Sequence, residues 1–307
     1  MSNIVLNEIN YNGFGKCIEL TNGIVRVVIT VDVGPRIVCY SFVNGENIFW
    51  ENPERTYSED SVTQTYGSPW YIYGGHRLWT SPEAAPRTYY ADNDPVEYEK
   101  IPGGARFIQP VQKINQIQCE FSVTLSPDST DVKVHHKITN RNSWDITFAI
   151  WALSVMSSGG LEIIPQPTSD TGLLNNRLIG IWSYAKMTDP RITWGDRYIA
   201  MRQDPQIKTN YELGINSEHG FAMYFNHGDV FVKKFDLVKG GTYPDGGMSF
   251  ESFVCENFLE CESLGELKTV APGSSVEHCE YWSLSKADAP SGFDEEELDR
   301  LCEKFVY

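Results

Sequence analysis

One short segment of the chain brings together side chains that can bind a ring and move a proton. It is Tyr73-Gly74-Gly75-His76-Arg77-Leu78-Trp79-Thr80-Ser81-Pro82-Glu83. The two glycines allow the backbone to turn sharply or to approach a ligand closely, and an imidazole, a guanidinium, an indole and a carboxylate follow them. A catalytic sugar site needs an aromatic face, fixed hydrogen-bond donors and acceptors, and a proton-transferring group. The alternative is a loop whose polar side chains only brace neighbouring strands.

The composition limits the classes of partner. The 307 residues carry a formal net charge of −16, and 13% of them are aromatic. This negative charge repels phosphates, so we expect no nucleic-acid partner. The chain has no long apolar run and no basic region followed by an apolar stretch near its start, so we expect no membrane span and no secretion signal.

The cysteines and histidines follow no metal or redox motif. The seven cysteines are Cys17, Cys39, Cys119, Cys255, Cys261, Cys279 and Cys302. Their number is odd, their spacing is wide, and no CxxC pair occurs. Reduced, buried thiols in a cytoplasmic protein fit this pattern best. We therefore expect no metal and no cofactor; Asp92-Asn93-Asp94, which could hold a cation, is more typical of a turn before Pro95.

Alternation of apolar and polar residues predicts β-strands over most of the chain. The predicted strands cover residues 25–33, 37–43, 105–109, 117–125, 132–139, 146–156, 220–225, 230–235, 248–256, 258–264 and 277–284, with a return strand beginning at Ile48. Residues 146–156 are apolar on both faces, which predicts a strand in the middle of a sheet. Asn44-Gly45 predicts a hairpin turn.

Two regions depart from the strand pattern. Residues 166–206 are rich in Asp, Pro, Arg and Trp, and predict long loops with short irregular elements. Residues 293–306 predict a helix with acidic residues at its start and one apolar stripe. No flexible joint divides the chain into two small β domains, which is the alternative. We therefore predict one domain over residues 1–307, an all-β antiparallel sandwich with a short C-terminal helix.

Several sequence blocks, in order, resemble the galactose mutarotase-like (aldose 1-epimerase-like) superfamily, especially its less characterised bacterial members. The blocks are VRVVITVDVGPRIVCYSFVNGENIFW, YGGHRLWTSPE, AIWALSVMSSGG, TYPDGGMSFESFVCENFLECESLGEL and VAPGSSVEHCEYWSL. The resemblance implies an antiparallel β-supersandwich with a sugar site on a concave sheet face. It also implies a small sugar or sugar derivative as the partner.

The resemblance implies a glutamate general base near the C-terminus, on a strand written much like Phe258-Leu259-Glu260-Cys261-Glu262. Glu260 is the matching position, and Glu262, on the same strand face, is the second choice. The alternative is that both are solvated residues on an outer face. The third block has Trp151 where the epimerases carry a histidine. His76 is therefore the candidate acid, whereas alternation makes His136 a packed core histidine.

Further side chains are candidates for holding the sugar. The planar fork of Arg77 suits a hydroxyl, a carboxylate or a phosphate. Trp79 or Trp151 can stack on the apolar face of a pyranose. Tyr243 and Asp245 could bind hydroxyls, although the residues favour the alternative, a plain Pro-Asp-Gly turn.

Three functions are compatible with these residues. The first is a carbohydrate-binding protein that could interconvert anomers, with Glu260 as base and His76 as acid. The second is a non-catalytic sugar-binding module or sensor, which the missing second histidine favours. The third is cleavage of a glycosidic bond by hydrolysis or elimination; for hydrolysis, Glu83 and Glu260 are the pair of carboxylates. The residues do not identify the sugar or the oligomeric state.

Overall fold

A computed structural model describes residues 4–56, 58–59 and 67–307. Across these ranges the chain is nearly all antiparallel β-structure, with one helix near the C-terminus. The strands are β1 Val5–Asn10, β2 Lys16–Thr21, β3 Val25–Thr30, β4 Ile37–Phe42, β5 Ser58–Glu59, β6 Trp70–Tyr71, β7 Gly75–Ser81, β8 Glu97–Ile101, β9 Gly104–Ile108, β10 Ile117–Leu125, β11 Val132–Asn140, β12 Ile146–Met156, β13 Leu161–Pro165, β14 Ile179–Ile181, β15 Ile192–Trp194, β16 Tyr198–Arg202, β17 Tyr211–Ile215, β18 Phe221–Asn226, β19 Asp229–Phe235, β20 Phe250–Val254, β21 Leu259–Leu264, β22 Lys268–Val270 and β23 Ser275–Lys286. The helix, α1, spans Glu295–Phe305. The predicted all-β class is confirmed.

The strands form two large sheets and one small pair. The first sheet has the order β1-β2-β3-β4-β7-β12-β21-β20-β17-β14, and β22 also pairs with β12. The second has the order β15-β16-β13-β18-β19-β23-β11-β10-β9-β8, while β5 pairs only with β6 among the described strands. As predicted from its apolar faces, β12 lies inside its sheet, between β7 and β21.

The core lies between the inner faces of the two large sheets. Because successive side chains of a strand point to opposite faces, every second residue enters this layer. Tyr40 of the first sheet meets Phe231 and Trp282 of the second, with ring centres 6.1 and 6.0 Å apart. Burial of this shared apolar surface is the main force that holds the sheets together.

Helix α1 covers part of the outer face of the second sheet. Asp294 is its N-cap and accepts a hydrogen bond from the backbone N–H of Glu296. Its apolar stripe, with Leu298 and Cys302 buried, packs against Ile163 of β13 and Val232 of β19. The predicted helix over residues 293–306 is therefore confirmed, within one or two residues at each end.

Some sequence expectations needed adjustment. The return strand expected from Ile48 is reduced to two isolated bridges, one between Phe49 and Met156 and one between Glu51 and Gly74. Residues 166–206, predicted as long loops with short irregular elements, contain the short regular strands β14, β15 and β16.

All seven cysteines are free, and only Cys279 is not fully buried. No helix among the described residues has both the length and the apolar character needed to cross a membrane.

Candidate functional site

The paired glycines of the opening motif fit β7 against its neighbours. Gly74 and Gly75 have φ angles of +83° and +66°, which other residues rarely adopt. A Cβ atom on Gly74 would lie 2.1 Å from the carbonyl oxygen of Trp50, and one on Gly75 would lie 2.2 Å from that of Ile37. The predicted close approach is thus an approach to the protein's own backbone.

Alternation along β7 divides the motif between the two faces of the first sheet. His76 and Leu78 point inward to the core, whereas Arg77 and Trp79 point outward. A cavity of about 220 Å³ opens on the outer face. It is lined by Trp70, Ile72, Arg77, Trp79, Glu83, Tyr89, Trp151, Leu153, Tyr184, Glu212, Phe253, Phe258, Glu260 and Glu262.

The strand register brings acidic residues from three strands to this face. Residues opposite one another on neighbouring strands share a face of the sheet. Two such rows cross the cavity side of the sheet. The first row consists of Arg77, Leu153, Glu262 and Glu251, and the second consists of Glu260, Phe253 and Glu212. Strands far apart in the chain therefore place their carboxylates together.

Arg77 joins the aromatic and acidic parts of the cavity. Its guanidinium carbon lies 3.9 Å from the centre of the Trp79 ring, a short cation–π distance. Its Nη2 lies 3.2 Å from Oε1 of Glu260. These two atoms form an ion pair but are not aligned as a hydrogen bond. Glu260 Oε1 therefore lacks a hydrogen-bond partner among the described residues, and Arg77 Nε lacks one as well. The described residues therefore leave hydrogen-bonding capacity unused at both atoms.

Hydrogen bonds hold the remaining carboxylates in place. The indole N–H of Trp151 donates to Glu262 Oε2 at 2.7 Å. The Tyr184 hydroxyl donates to Glu212, and the Tyr89 hydroxyl donates to Glu83 at the exposed side of the cavity. The segment that was predicted to be loop thus supplies one cavity residue, Tyr184.

Burial changes the proton affinity of the cavity carboxyls. It raises the pKa of Glu260, although the positive charge of Arg77 acts in the opposite direction. It raises the pKa of Glu262 well above the ordinary value, and the neighbouring Glu260 and Glu212 raise it further. Burial also raises the pKa of Glu212 to about 8. The cavity can therefore hold protons on carboxyl groups near neutral pH.

His76 does not lie in the cavity, which corrects the placement expected from the sequence. It is fully buried on the inner face, with Nδ1 2.9 Å from Ser154 Oγ and Nε2 2.7 Å from His136 Nε2. Burial lowers the pKa of His76 well below its ordinary value, so the ring is neutral. Because His76 and Arg77 are adjacent in one strand, they cannot both face the same ligand. The prediction of His136 as a core histidine is confirmed.

Tyr243 and Asp245 also lie outside the cavity lining. The Tyr243 hydroxyl accepts a hydrogen bond from the Val238 backbone N–H at 2.8 Å and faces a separate hollow. Asp245 is exposed, has a φ of 52° and accepts from Ser81 Oγ at 3.0 Å. These contacts fit the plain turn that was the alternative. Six of the predicted site residues line the cavity together: Arg77, Trp79, Glu83, Trp151, Glu260 and Glu262.

Several residues near this site were not predicted. Glu212 and Glu251 each stand inside a strand and are buried. A glutamate in the middle of a strand-like run is unusual enough to be a signal. Trp70 and Tyr89, which pack edge-to-face with ring centres 5.3 Å apart, carry no such pattern.

The architecture is similar to that of several solved structures. A candidate aldose 1-epimerase from Klebsiella pneumoniae superposes with a TM-score of 0.64 at 14% identity, over 100% of this chain and 88% of the other. A candidate mutarotase from Salmonella typhimurium gives 0.59 at 10% identity, over 92% and 94%. A galactose mutarotase-like protein from Lactobacillus casei gives 0.56 at 11% identity, over 88% and 100%. No protein-family model and no curated protein sequence matches the chain.

These similarities show a galactose mutarotase-like β-sandwich fold. The resemblance found in the sequence blocks is therefore confirmed for the fold.

Proposed function

We propose that the outer cavity of the first sheet binds a carbohydrate. The observation that carries the proposal is the Arg77 guanidinium, held between the Trp79 ring and the Glu260 carboxylate with hydrogen-bonding capacity left over. Indole faces suit the apolar side of a pyranose, and buried charged groups suit its hydroxyls. The mutarotase-like fold of the chain agrees with this ligand class.

The charge of the cavity favours a neutral or amino sugar over an acidic one. Among the described residues, four glutamates line it, whereas Arg77 is the one basic lining residue and is already paired with Glu260. A sugar phosphate or uronic acid would bring a further negative charge into this low-dielectric space. We therefore expect such anions to bind more weakly than their neutral parents.

Interconversion of anomers is the second candidate function, and the position of Glu260 favours it. A buried carboxylate with a raised pKa can remove the proton of the C1 hydroxyl. A donor must protonate the ring oxygen, so that the ring opens, the C1–C2 bond rotates and the ring closes on the other face. No histidine lines the described cavity, so in this scheme the donor is the carboxyl group of Glu212, whose pKa burial raises to about 8 and which therefore carries a proton near neutral pH.

Saturation-transfer NMR with a panel of aldoses, amino sugars, sugar phosphates and aryl glycosides tests both functions. Binding should be saturable for at least one neutral or amino sugar, and it should weaken at least tenfold in Trp79→Ala. Trp144→Ala is the matched control, since Trp144 is 65% exposed and lies outside the cavity. Equal binding by both variants, or none across the panel, would remove the carbohydrate proposal.

The same samples separate catalysis from binding. If anomers exchange faster with the protein, Glu260→Gln should abolish the acceleration and keep most of the affinity. Binding without accelerated exchange would identify a non-catalytic sensor. Release of the aryl group would instead favour hydrolysis by Glu83 and Glu260, which line the same cavity.

A further inference from the structure

We propose that Glu212, Glu251 and Glu262 form a binding site for a divalent cation of the size of Ca²⁺. The site belongs to the acidic side of the outer cavity, where Glu212 and Glu262 form part of the lining. It does not require that the cavity binds a sugar. The three side chains come from β17, β20 and β21, which are neighbours in the first sheet.

The spacing of the carboxylate oxygens is compatible with a calcium-sized ion. One carboxylate oxygen from each glutamate lies within 4.8 Å of the other two. Ca²⁺–oxygen distances of about 2.3–2.6 Å place ligands on opposite sides of the ion about 4.6–5.2 Å apart. Separations within this limit fit the oxygens around a bound Ca²⁺. Mg²⁺ usually binds through one or two carboxylates and keeps several waters, so three convergent carboxylates favour Ca²⁺.

The carboxylates have oxygens available for an ion. Glu251 is 1% exposed, yet its Oε1 has no hydrogen-bond partner among the described residues. A buried polar atom of this kind is costly unless something binds it. Glu212 and Glu262 each accept one hydrogen bond, from Tyr184 and Trp151, at Oε2. Their other oxygens can face the ion.

The backbone opposite the trio provides room for this arrangement. Gly214 is in register with Glu251. A Cβ atom on Gly214 would lie 3.2 Å from Cγ of Glu251 and 2.8 Å from Cγ of Met248. A larger residue would displace the Glu251 side chain, so the glycine helps to hold the carboxylate in the cluster.

Neighbouring charges do not neutralise the trio. Arg77, the basic residue of the described cavity lining, is paired with Glu260. Burial raises the pKa of Glu212 and Glu251, and the negative charges of Asp245 and Glu83 close by raise it further. Without a cation the trio must hold protons, and an incoming Ca²⁺ releases them. An oxygen-only donor set selects hard cations of this class.

Terbium luminescence and calorimetry test the proposal on the full chain after treatment with a chelator. Tb³⁺ is a calcium-sized probe that indole excitation sensitises, and the Trp151 indole is bonded to Glu262. We expect one saturable site, displacement of Tb³⁺ by Ca²⁺, and at least tenfold weaker displacement by Mg²⁺. Calorimetry should give about one Ca²⁺ per chain, with affinity that increases with pH as the carboxyls lose protons.

Variants assign the site. Glu251→Gln should weaken Ca²⁺ at least tenfold, whereas Glu46→Gln, at an exposed position, should not. Circular dichroism verifies that Glu251→Gln is folded; Glu262→Gln is the second variant if it is not. No saturable Ca²⁺ or Tb³⁺ binding, or equal loss in the control, would overturn the proposal. Stabilisation by glucosamine without any Ca²⁺ binding would also overturn it and assign the cluster to an ammonium group. Sugar binding could fail while Ca²⁺ binds, so the two proposals fail separately.

Discussion

The Nε2 atoms of His76 and His136 lie 2.7 Å apart in the core between the two sheets. The Nδ1 of His136 is 3.1 Å from the carbonyl oxygen of His278, so this nitrogen carries the proton and donates it. His136 must then accept at Nε2 from the N–H of His76, whose Nδ1 accepts from the Ser154 hydroxyl. The contacts define one neutral tautomer for each ring.

This histidine pair predicts a loss of stability in acid. Burial lowers the pKa of His136 to about 3, below the value of about 6.5 expected in the unfolded chain. Between these values the unfolded state binds more protons, so the unfolding free energy decreases as pH falls from 6.5 towards 3. His136→Asn should reduce this slope by up to about 1.4 kcal/mol per pH unit, measured by urea unfolding from pH 3.5 to 7.

The adjacent residue provides the control for that experiment. His135 lies on the outer face, partly exposed, next to Glu277. His135→Asn should leave the slope nearly unchanged. Glu120 and Asp189 are paired carboxylates with a lowered pKa, so their protonation in acid also destabilises the protein. Both variants retain them, and they therefore do not account for a difference between the two slopes. Identical slopes for the two variants would contradict the prediction.

A second prediction concerns the buried ion pair of Lys233 and Glu280. Their Nζ and Oε1 atoms are 2.9 Å apart, and neither side chain is exposed. Ser263 and Trp282 also donate hydrogen bonds to Glu280. Lys233→Met should cost about 3–5 kcal/mol of unfolding free energy, because it leaves a buried carboxylate without its cation.

The double variant Lys233→Met, Glu280→Gln should lose less than the single one, because no buried charge remains unpaired. Lys16→Met is the comparison at an exposed pair with Glu8; it should cost less than about 1 kcal/mol. Denaturant melts of all three variants at pH 7 give the values. If Lys233→Met is as stable as the wild type, the role assigned to the Lys233–Glu280 pair is refuted.

A third prediction follows from the raised pKa of Glu212, about 8. The folded state holds this proton more tightly than the unfolded chain, so stability is lost as pH rises from 4.5 through 8. With a chelator present, Glu212→Gln should be more stable than the wild type by on the order of 2 kcal/mol at pH 8.5. The difference should nearly vanish at pH 4.5. Thermal melts at both pH values measure it.

Glu83→Gln serves as the matched change, since Glu83 lines the same cavity but is exposed. It should give no comparable gain at high pH. A gain of equal size in both variants would mean that removal of overall negative charge, and not burial of Glu212, causes the effect.

A fourth prediction concerns Gly75. Its φ is +66°, and a Cβ atom there would lie 2.2 Å from the Ile37 carbonyl oxygen, so the position excludes a side chain. Gly75→Ala should cost at least about 3 kcal/mol, because the backbone of β7 must shift away from β4. Gly159 also has a positive φ, but its Cβ would enter open space. Gly159→Ala should cost only about 1–2 kcal/mol. Equal melting temperatures for the two would exclude the steric explanation.

The sequence predicted best the strands that either alternate strongly or form a long apolar run, and whose ends are marked by turns. Residues 117–125 and 146–156 were predicted with the bounds that the structure has for β10 and β12. In contrast, β13 and β17 were not predicted. Every residue of these two five-residue strands is buried. They show no alternation, and unlike the 11-residue β12 they are too short for an apolar run to indicate a strand.

Residues of the candidate site could be predicted only where a single sequence motif contains them. Arg77, Trp79 and Glu83 came from a single segment, and Glu260 came from a family block. Glu212 and Glu251 meet Glu262 through strand register, which a single sequence does not contain. The placement of His76 failed because the motif was interpreted as one surface, although neighbouring residues of a strand face opposite ways.

Helix α1 and the cavity lie on opposite outer sides of the sandwich. Leu298 and Cys302 fix the end of the chain to the back of the second sheet, while the cavity opens on the front of the first. A tag or fusion partner added after Tyr307 would therefore point away from the opening. Molecules tethered to a sensor chip through that end would display the cavity to the flowing solution.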